Sequence, residues 1–285
     1  MKKEINLYLS CDSDDAFMFW ALKEGIIDTS PFIFKLITGN TEDLNIKALK
    51  GEPDVSAVSM YTYGFIADKY LLFPHGGSVG RNYGPVIVSR KEYSIYDLPG
   101  LRIATPGEKT TAHCVLKMLA PESRTVTIPI FPFEKVFQAI EQGEVDAALL
   151  IHEGRLIYSE LGYHLIADIG EWWFHKTGLP LPLGVTVVKK ELGEEAIRQI
   201  SSYLRSSIRY ALDNREKVLE SIVEQEKRKE KHLHKKELID KYLSLYANED
   251  TFDYGEEGRR AIQTFLDMSF NAGLLPKKVK AEFAP

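Results

Sequence analysis

Residues Val145–Tyr158 read VDAALLIHEGRLIY. Val145 to Ile151 is a short, almost wholly apolar run, the pattern of a strand buried on both faces of a parallel sheet. His152 and Glu153 stand at its end, Gly154 follows, and a more polar segment of helical character begins. In open α/β sheets, ligands collect at the carboxyl ends of strands, where the next helix starts, and His152 holds a position of that kind. A helix N-terminus carries partial positive charge, which opposes protonation of a nearby imidazole. A neutral imidazole near neutral pH can act as a general base. Capping a helix or bonding a neighbour is the plainer role for the same residue.

The same alternation runs outward in both directions. Ile5–Ser10 reads as a strand, and Asp12, Ser13, Asp14 and Asp15 then precede a helix that stops at Gly25. Acidic residues favour a helix N-terminus, so this cluster is assigned to the helix start rather than to a metal. Pro31–Ile37 and Asp54–Ser59 are further strands, separated by a helix that Asn40 or Thr41 would cap. Tyr70–Phe73 and Pro85–Ser89 are strand-like. Beyond a turn cluster at 96–100, LRIATPG starts another strand, and Thr110 and Thr111 open a helix. Free N–H groups at such a helix start suit an anion, while an ordinary threonine cap is the alternative. Thr125–Phe131 and His164–Ile169 complete a second set of strands, with a helix at Phe133–Gln142. Strands alternating with helices mark a parallel sheet with crossover helices.

Everything after residue 191 reads as helix. Ile197, Ile200, Leu204, Ile208 and Leu212 follow a spacing of about 3.6. The charged stretch EQEKRKEKHLHKKE reads as a solvated face, and His232 and His234, two apart, make a poor metal pair on a helix. Trp172 and Trp173 suit either an apolar wall for a ring system or the core.

Composition limits the function. The chain has 285 residues, 44% hydrophobic and 27% charged, enough for two lobes with proper cores. A net charge of −5 argues against a nucleic-acid partner. Cys11 and Cys114 form no CxxC pair, so no zinc or redox motif is read. No run reaches the ~20 apolar residues of a membrane span, and no secretory signal is recognisable. The expectation is a cytoplasmic protein with no membrane partner. Ser59 lacks the GxSxG surroundings of a hydrolase nucleophile.

The elements sort into two lobes: residues 1–88 with 185–285, including the C-terminal helices, and residues 89–184. The chain would cross between them near 85–90 and 183–188, a hinge with a ligand cleft, with Gly84 and Gly184 beside it. The fold class expected is α/β, two-lobed, resembling the periplasmic binding proteins of the second type.

Six blocks in order carry a more specific resemblance: SCDSDDAFMFWAL, TEDLNIKAL, SVGRNYGPVIVSR, ATPGEKTTA, GEVDAALLIHEGRLIY and DIGEWWFHKTGLPLPLG. Together, over about residues 5–275, they resemble the 1,4-dihydroxy-6-naphthoate synthases of the futalosine route of menaquinone biosynthesis. Cys11, where that family usually has proline, and the lengthened stretch around 225–236 depart from it. The resemblance implies a carbon–carbon lyase acting on cyclic de-hypoxanthine futalosine, a small-molecule carboxylate, with no redox cofactor and no metal. It implies His152 as the base and Asn45, Ala57, Val58, Ser59, Thr111 and Ala112 as substrate-contacting positions. The rival readings are a non-catalytic solute-binding protein of the same fold and the related chorismate dehydratase.

Overall fold

A computed structural model describes residues 3–225 and 235–285. Strand β1 (Lys3–Ser10) leads into two short helices, α1 (Ser13–Met18) and α2 (Trp20–Lys23). Then come β2 (Phe32–Gly39), α3 (Thr41–Lys50), β3 (Val55–Ser59), α4 (Met60–Ile66), β4 (Tyr70–Leu72) and β5 (Ser78–Gly80). The second group comprises β6 (Val86–Ser89), β7 (Arg102–Thr105), α5 (Thr111–Leu119), β8 (Arg124–Thr127), α6 (Glu134–Glu141), β9 (Ala147–Leu150), α7 (Gly154–Ile157), β10 (His164–Asp168) and α8 (Ile169–Thr177). Strand β11 (Leu181–Lys189) precedes the C-terminal helices α9 (Glu194–Asp213), α10 (Arg215–Gln225), α11 (Lys236–Tyr246), α12 (Glu249–Phe252) and α13 (Gly255–Asn271).

Two sheets result. The first has the order β2-β1-β3-β11-β4, with β5 also paired to β11; the second has the order β10-β6-β9-β7-β8. Both are mixed rather than parallel throughout. β1 runs parallel to β2 and β3, whereas β11 is antiparallel to β3, β4 and β5. In the second sheet β7 is parallel to β8 and β9, but β6 is antiparallel to β9 and β10. β6 and β11 are the strands that begin just after the chain changes sheets, so they enter from the opposite end.

The segments expected as crossings, 85–90 and 183–188, therefore lie largely inside strands. The chain passes from β5 to β6 through 81–85 and from β10 to β11 through α8 and 178–180. These two connections touch backbone to backbone. A Cβ on Gly170 would fall 2.1 Å from the Tyr83 carbonyl oxygen, and one on Gly84 would fall 2.9 Å from the Gly170 Cα. Gly184, by contrast, sits in β11 with its register partners Ser59 and Ser78.

Burial explains the placement of the elements. All four residues of β9 are buried, as a central strand covered on both faces requires. Ile197, Ile200, Leu204 and Ile208 put one face of α9 against Ile5, Leu7 and Leu9 of β1, each such side chain contributing about 1.5–3 kcal/mol on burial. α11 lays Ile239 and Leu243 against Phe17 and Trp20 of the first helices. Among the described residues the C-terminal third is mainly helical as far as Asn271; the last residues are extended instead, with Leu72 N–H donating to Glu282 O at 2.9 Å and Ala284 N–H to Leu72 O at 2.7 Å. His232, His234 and most of the charged stretch lie outside the described residues. Among the described residues, no helix is long and apolar enough to cross a membrane.

Candidate functional site

A cleft lies between the two sheets, at the kind of concave inter-lobe position where small ligands bind. The carboxyl ends of β1, β2 and β3 supply Ser10, Asp12, Asp14, Asp15, Thr41 and Ser59 from one side; the ends of β7 and β9 supply Thr110, Thr111, Ala112, Ile151, His152 and Arg155 from the other. Leu44, Val58, Pro85, Leu183 and Val185 give apolar wall, and Tyr242 and Tyr246 on α11 contribute aromatic faces.

His152 stands two residues beyond β9 with a φ of +53°, the left-handed region that few non-glycine residues adopt. That backbone turns the imidazole across the cleft. Nδ1 lies 2.5 Å from Asp12 Oδ2, and the two side chains are 10% and 5% exposed. Nε2 lies 3.0 Å from Thr41 Oγ1 at the start of α3. Phe131 stacks on the ring at 5.9 Å, and Tyr242 Oη is 3.4 Å from Nδ1. The helix that follows, α7, is only four residues long. The electrostatic surroundings of His152 are therefore governed by the Asp12 carboxylate, which favours the imidazolium, and not by a helix dipole that opposes it. A carboxylate on Nδ1 fixes the tautomer and leaves Nε2 as the basic atom.

The acidic cluster is part of this site. Asp12 stands at the N-cap of α1, yet its side chain makes no capping hydrogen bond. Burial pushes its carboxyl up, but the His152 ring beside it outweighs this and holds Asp12 well below the usual carboxylate range. Asp14 and Asp15 behave oppositely: burial first, then the neighbouring Asp12 charge, pushes both well above that range. Asp15 Oδ2 accepts from Ser10 N–H at 2.5 Å, and Asp14 accepts from Ser78 Oγ and, at 3.4 Å, from Tyr242 Oη. Three carboxyls crowded in a buried site oppose one another's ionisation, and the charge is favoured on Asp12, which pairs with His152. Ser13 Oγ donates to Glu153 Oε1 at 2.5 Å, a second buried link across the cleft beside the first.

The remaining positions separate into cavity wall and support. Ala57, Val58, Ser59, Thr111 and Ala112 line the cavity. Asn45 is fully buried outside the lining; its Oδ1 accepts from Ser59 N–H at 2.9 Å and its Nδ2 donates to Ser59 Oγ at 3.1 Å, so it orients Ser59. The capping residue of α5 is Thr110, which accepts from His113 N–H at 3.2 Å. Thr111 spends its hydroxyl between the sheets, donating to Leu183 O at 2.6 Å and accepting from Tyr61 N–H at 3.3 Å. Trp173 is a core residue whose Nε1 donates to Pro180 O at 3.1 Å; neither it nor Trp172 lines the cavity. Reasoning from sequence missed Asp12, Asp14 and Asp15 as wall residues because their type and position match a helix start. It also missed Tyr242 and Tyr246, whose spacing with Ile239 and Leu243 is that of a core face.

Residues 5–271 match the family described as menaquinone biosynthesis. The chain is similar to the 1,4-dihydroxy-6-naphthoate synthase of Streptomyces coelicolor, 34% identical over 272 residues, 94% of this chain and 93% of that one. A crystal structure of a protein from Archaeoglobus fulgidus matches with a TM-score of 0.87 at 34% identity, covering 95% of this chain and 98% of the other. The alkanesulfonate-binding protein of Xanthomonas axonopodis pv. citri matches with a TM-score of 0.70 at 14% identity, over 98% and 96% of the two chains. The fold is that of the two-lobed periplasmic binding proteins, as expected.

Proposed function

The chain belongs to the menaquinone-biosynthesis family and is an enzyme of that route, and from this premise we propose that it converts cyclic de-hypoxanthine futalosine to 1,4-dihydroxy-6-naphthoate, with His152 as the general base. The observation that carries the reading is the Asp12–His152 pair at 2.5 Å inside an otherwise largely apolar cavity. In the proposed step Nε2 takes a proton from a hydroxyl of the sugar-derived portion. The carbon–carbon bond joining that portion to the ring breaks as the new carbonyl forms. The bonding electrons pass into the ring system, which aromatises after proton return, so no oxidant is required. Asp12 stabilises the imidazolium that forms on proton abstraction. Asp14 and Asp15, held as protonated acids, keep the negative charge of the cavity low around an anionic substrate.

A pure ligand receptor has no need of a buried carboxylate–imidazole pair on its cavity wall, and this favours the lyase over the solute-binding reading. Incubating the purified protein with the cyclic substrate and following product by chromatography decides the matter. Accumulation of the naphthoate, abolished by replacing His152, is the expected result. Tight binding of the substrate without any turnover would leave a binding protein.

A further inference from the structure

We propose that Arg155, on the same segment of the cavity wall as the His152 base, is the anchor for the aromatic carboxylate of the ligand. Among the described residues lining the cavity it is the one lysine or arginine. Its side chain is 12% exposed and its Nη2 donates to Asp168 Oδ2 at 2.9 Å. Asp168 is already committed elsewhere: its Oδ1 caps α8 by accepting from Gly170 N–H at 2.9 Å and Glu171 N–H at 3.2 Å. The guanidinium has five N–H donors in a rigid fork. Its Nε is buried and has no hydrogen-bond partner, although leaving such a donor unmet is costly. The Tyr83 ring sits 5.6 Å from Cζ and holds the guanidinium plane from one side. A buried cation, positioned by an anion and a ring and left with donors to spare on a ligand cavity, is suited to bidentate capture of a carboxylate. Arg155 lies three residues after His152, in the short helix α7 that follows β9, so one local segment would set both the carboxylate and the base.

This inference rests on the proposed reading for the ligand's class, an aromatic carboxylate, and is tested by binding rather than turnover. The probes are 2-naphthoate and its neutral isostere 2-naphthamide, titrated calorimetrically into the full-length protein. Wild type should prefer the carboxylate. Arg155→Met should weaken 2-naphthoate roughly ten- to hundredfold, as loss of charged hydrogen bonds implies, and leave 2-naphthamide within about twofold. Arg155→Lys should fall between them, keeping charge but losing the fork. Asp168→Asn separates anchoring from mere structure, since it breaks the ion pair but keeps a capping oxygen: naphthoate affinity should hold or rise. Equal loss of both probes in Arg155→Met, a parallel loss in Asp168→Asn, or no carboxylate preference in wild type would each overturn the assignment. Carboxylate-selective binding through Arg155 without turnover of the cyclic substrate would sink the reaction and leave the anchor standing. Turnover together with unchanged selectivity in Arg155→Met would sink the anchor alone.

Discussion

Asp12 Oδ2 and His152 Nδ1 meet at 2.5 Å although one residue follows the first strand of one sheet and the other follows β9 of the second. The pair exists only when the two sheets face each other across the cleft. Completion of the site therefore depends on how the two lobes pack.

Replacing His152 tests the base directly. Asparagine is the substitution of choice, because it tolerates the positive φ of this position. His152→Asn should fold and bind 2-naphthoate as wild type does, yet turn over several hundred-fold more slowly, within the roughly 10²–10⁴-fold typical of general-base catalysis. Turnover near the wild-type rate would remove His152 from the mechanism.

Asp12 acts through His152, so its removal should separate kcat from KM. Asp12→Asn keeps an acceptor for Nδ1–H and suits the N-cap, but removes the charge. A kcat lowered about a hundredfold with KM within about threefold is expected. An anion beside an imidazole favours its protonated form, so the acid limb of the kcat/KM profile should move to lower pH. An unmoved profile would reduce Asp12 to a structural contact.

Thr111 carries a different expectation once its contacts are known. With its hydroxyl bridging Leu183 O and Tyr61 N–H, Thr111→Val should destabilise the fold by about 1–3 kcal/mol through the unmet partners, seen as a lower denaturant midpoint. A KM that rises with no change in stability would instead place the hydroxyl on the substrate.

His75 should impose an acid limit on stability. It is buried against Phe73, with Nε2 3.0 Å from Ser201 Oγ. Burial, reinforced by Arg205, pushes its pKa from 6.5 down to about 4. The unfolded chain therefore binds this proton first. The neutral side chain's contribution is fully present above pH 6.5 and is lost as pH falls toward 4, by about 3 kcal/mol in all. His75→Gln retains a donor to Ser201 and should remove about one proton's worth of slope from the stability–pH curve over that window. A slope identical to wild type would contradict this. Asp14 and Asp15 have the opposite sign: their contribution is present at low pH and lost as pH rises through their raised folded values.

The contact between the two crossing connections is testable at Gly170. A Cβ there would meet the Tyr83 carbonyl carbon and oxygen at 2.2 and 2.1 Å, and backbone cannot step aside as a flexible side chain can. Gly170→Ala should cost about 1–3 kcal/mol and weaken 2-naphthoate binding, because Asp168 and Arg155 lie next to the displaced segment. A variant as stable as wild type would show that the connections are free to separate.

Elements legible in the sequence were those set by local pattern. The buried run of β9, the amphipathic face of α9 and the strand–helix alternation all arise from periodicity within a few turns and appear in the structure, β9 and α9 with ends within two residues of the reading, whereas the strand read as Thr125–Phe131 stops at Thr127. His152 is likewise visible as a polar residue ending an apolar strand. What local pattern could not decide was pairing. Whether β6 and β11 run with or against their neighbours depends on where the chain re-enters each sheet, and residues within a strand carry no record of that. Asp12 looks like a helix cap because the side chain that claims it is 140 positions away. The hydroxyl of Thr111 goes to Leu183 and Tyr61, partners that no local pattern names, and Tyr242 looks like core until α11 brings it to the cavity. Secondary structure follows from short-range sterics and burial periodicity; the charge state, partners and free donors of a buried polar group follow from which distant groups the tertiary fold brings within hydrogen-bond reach.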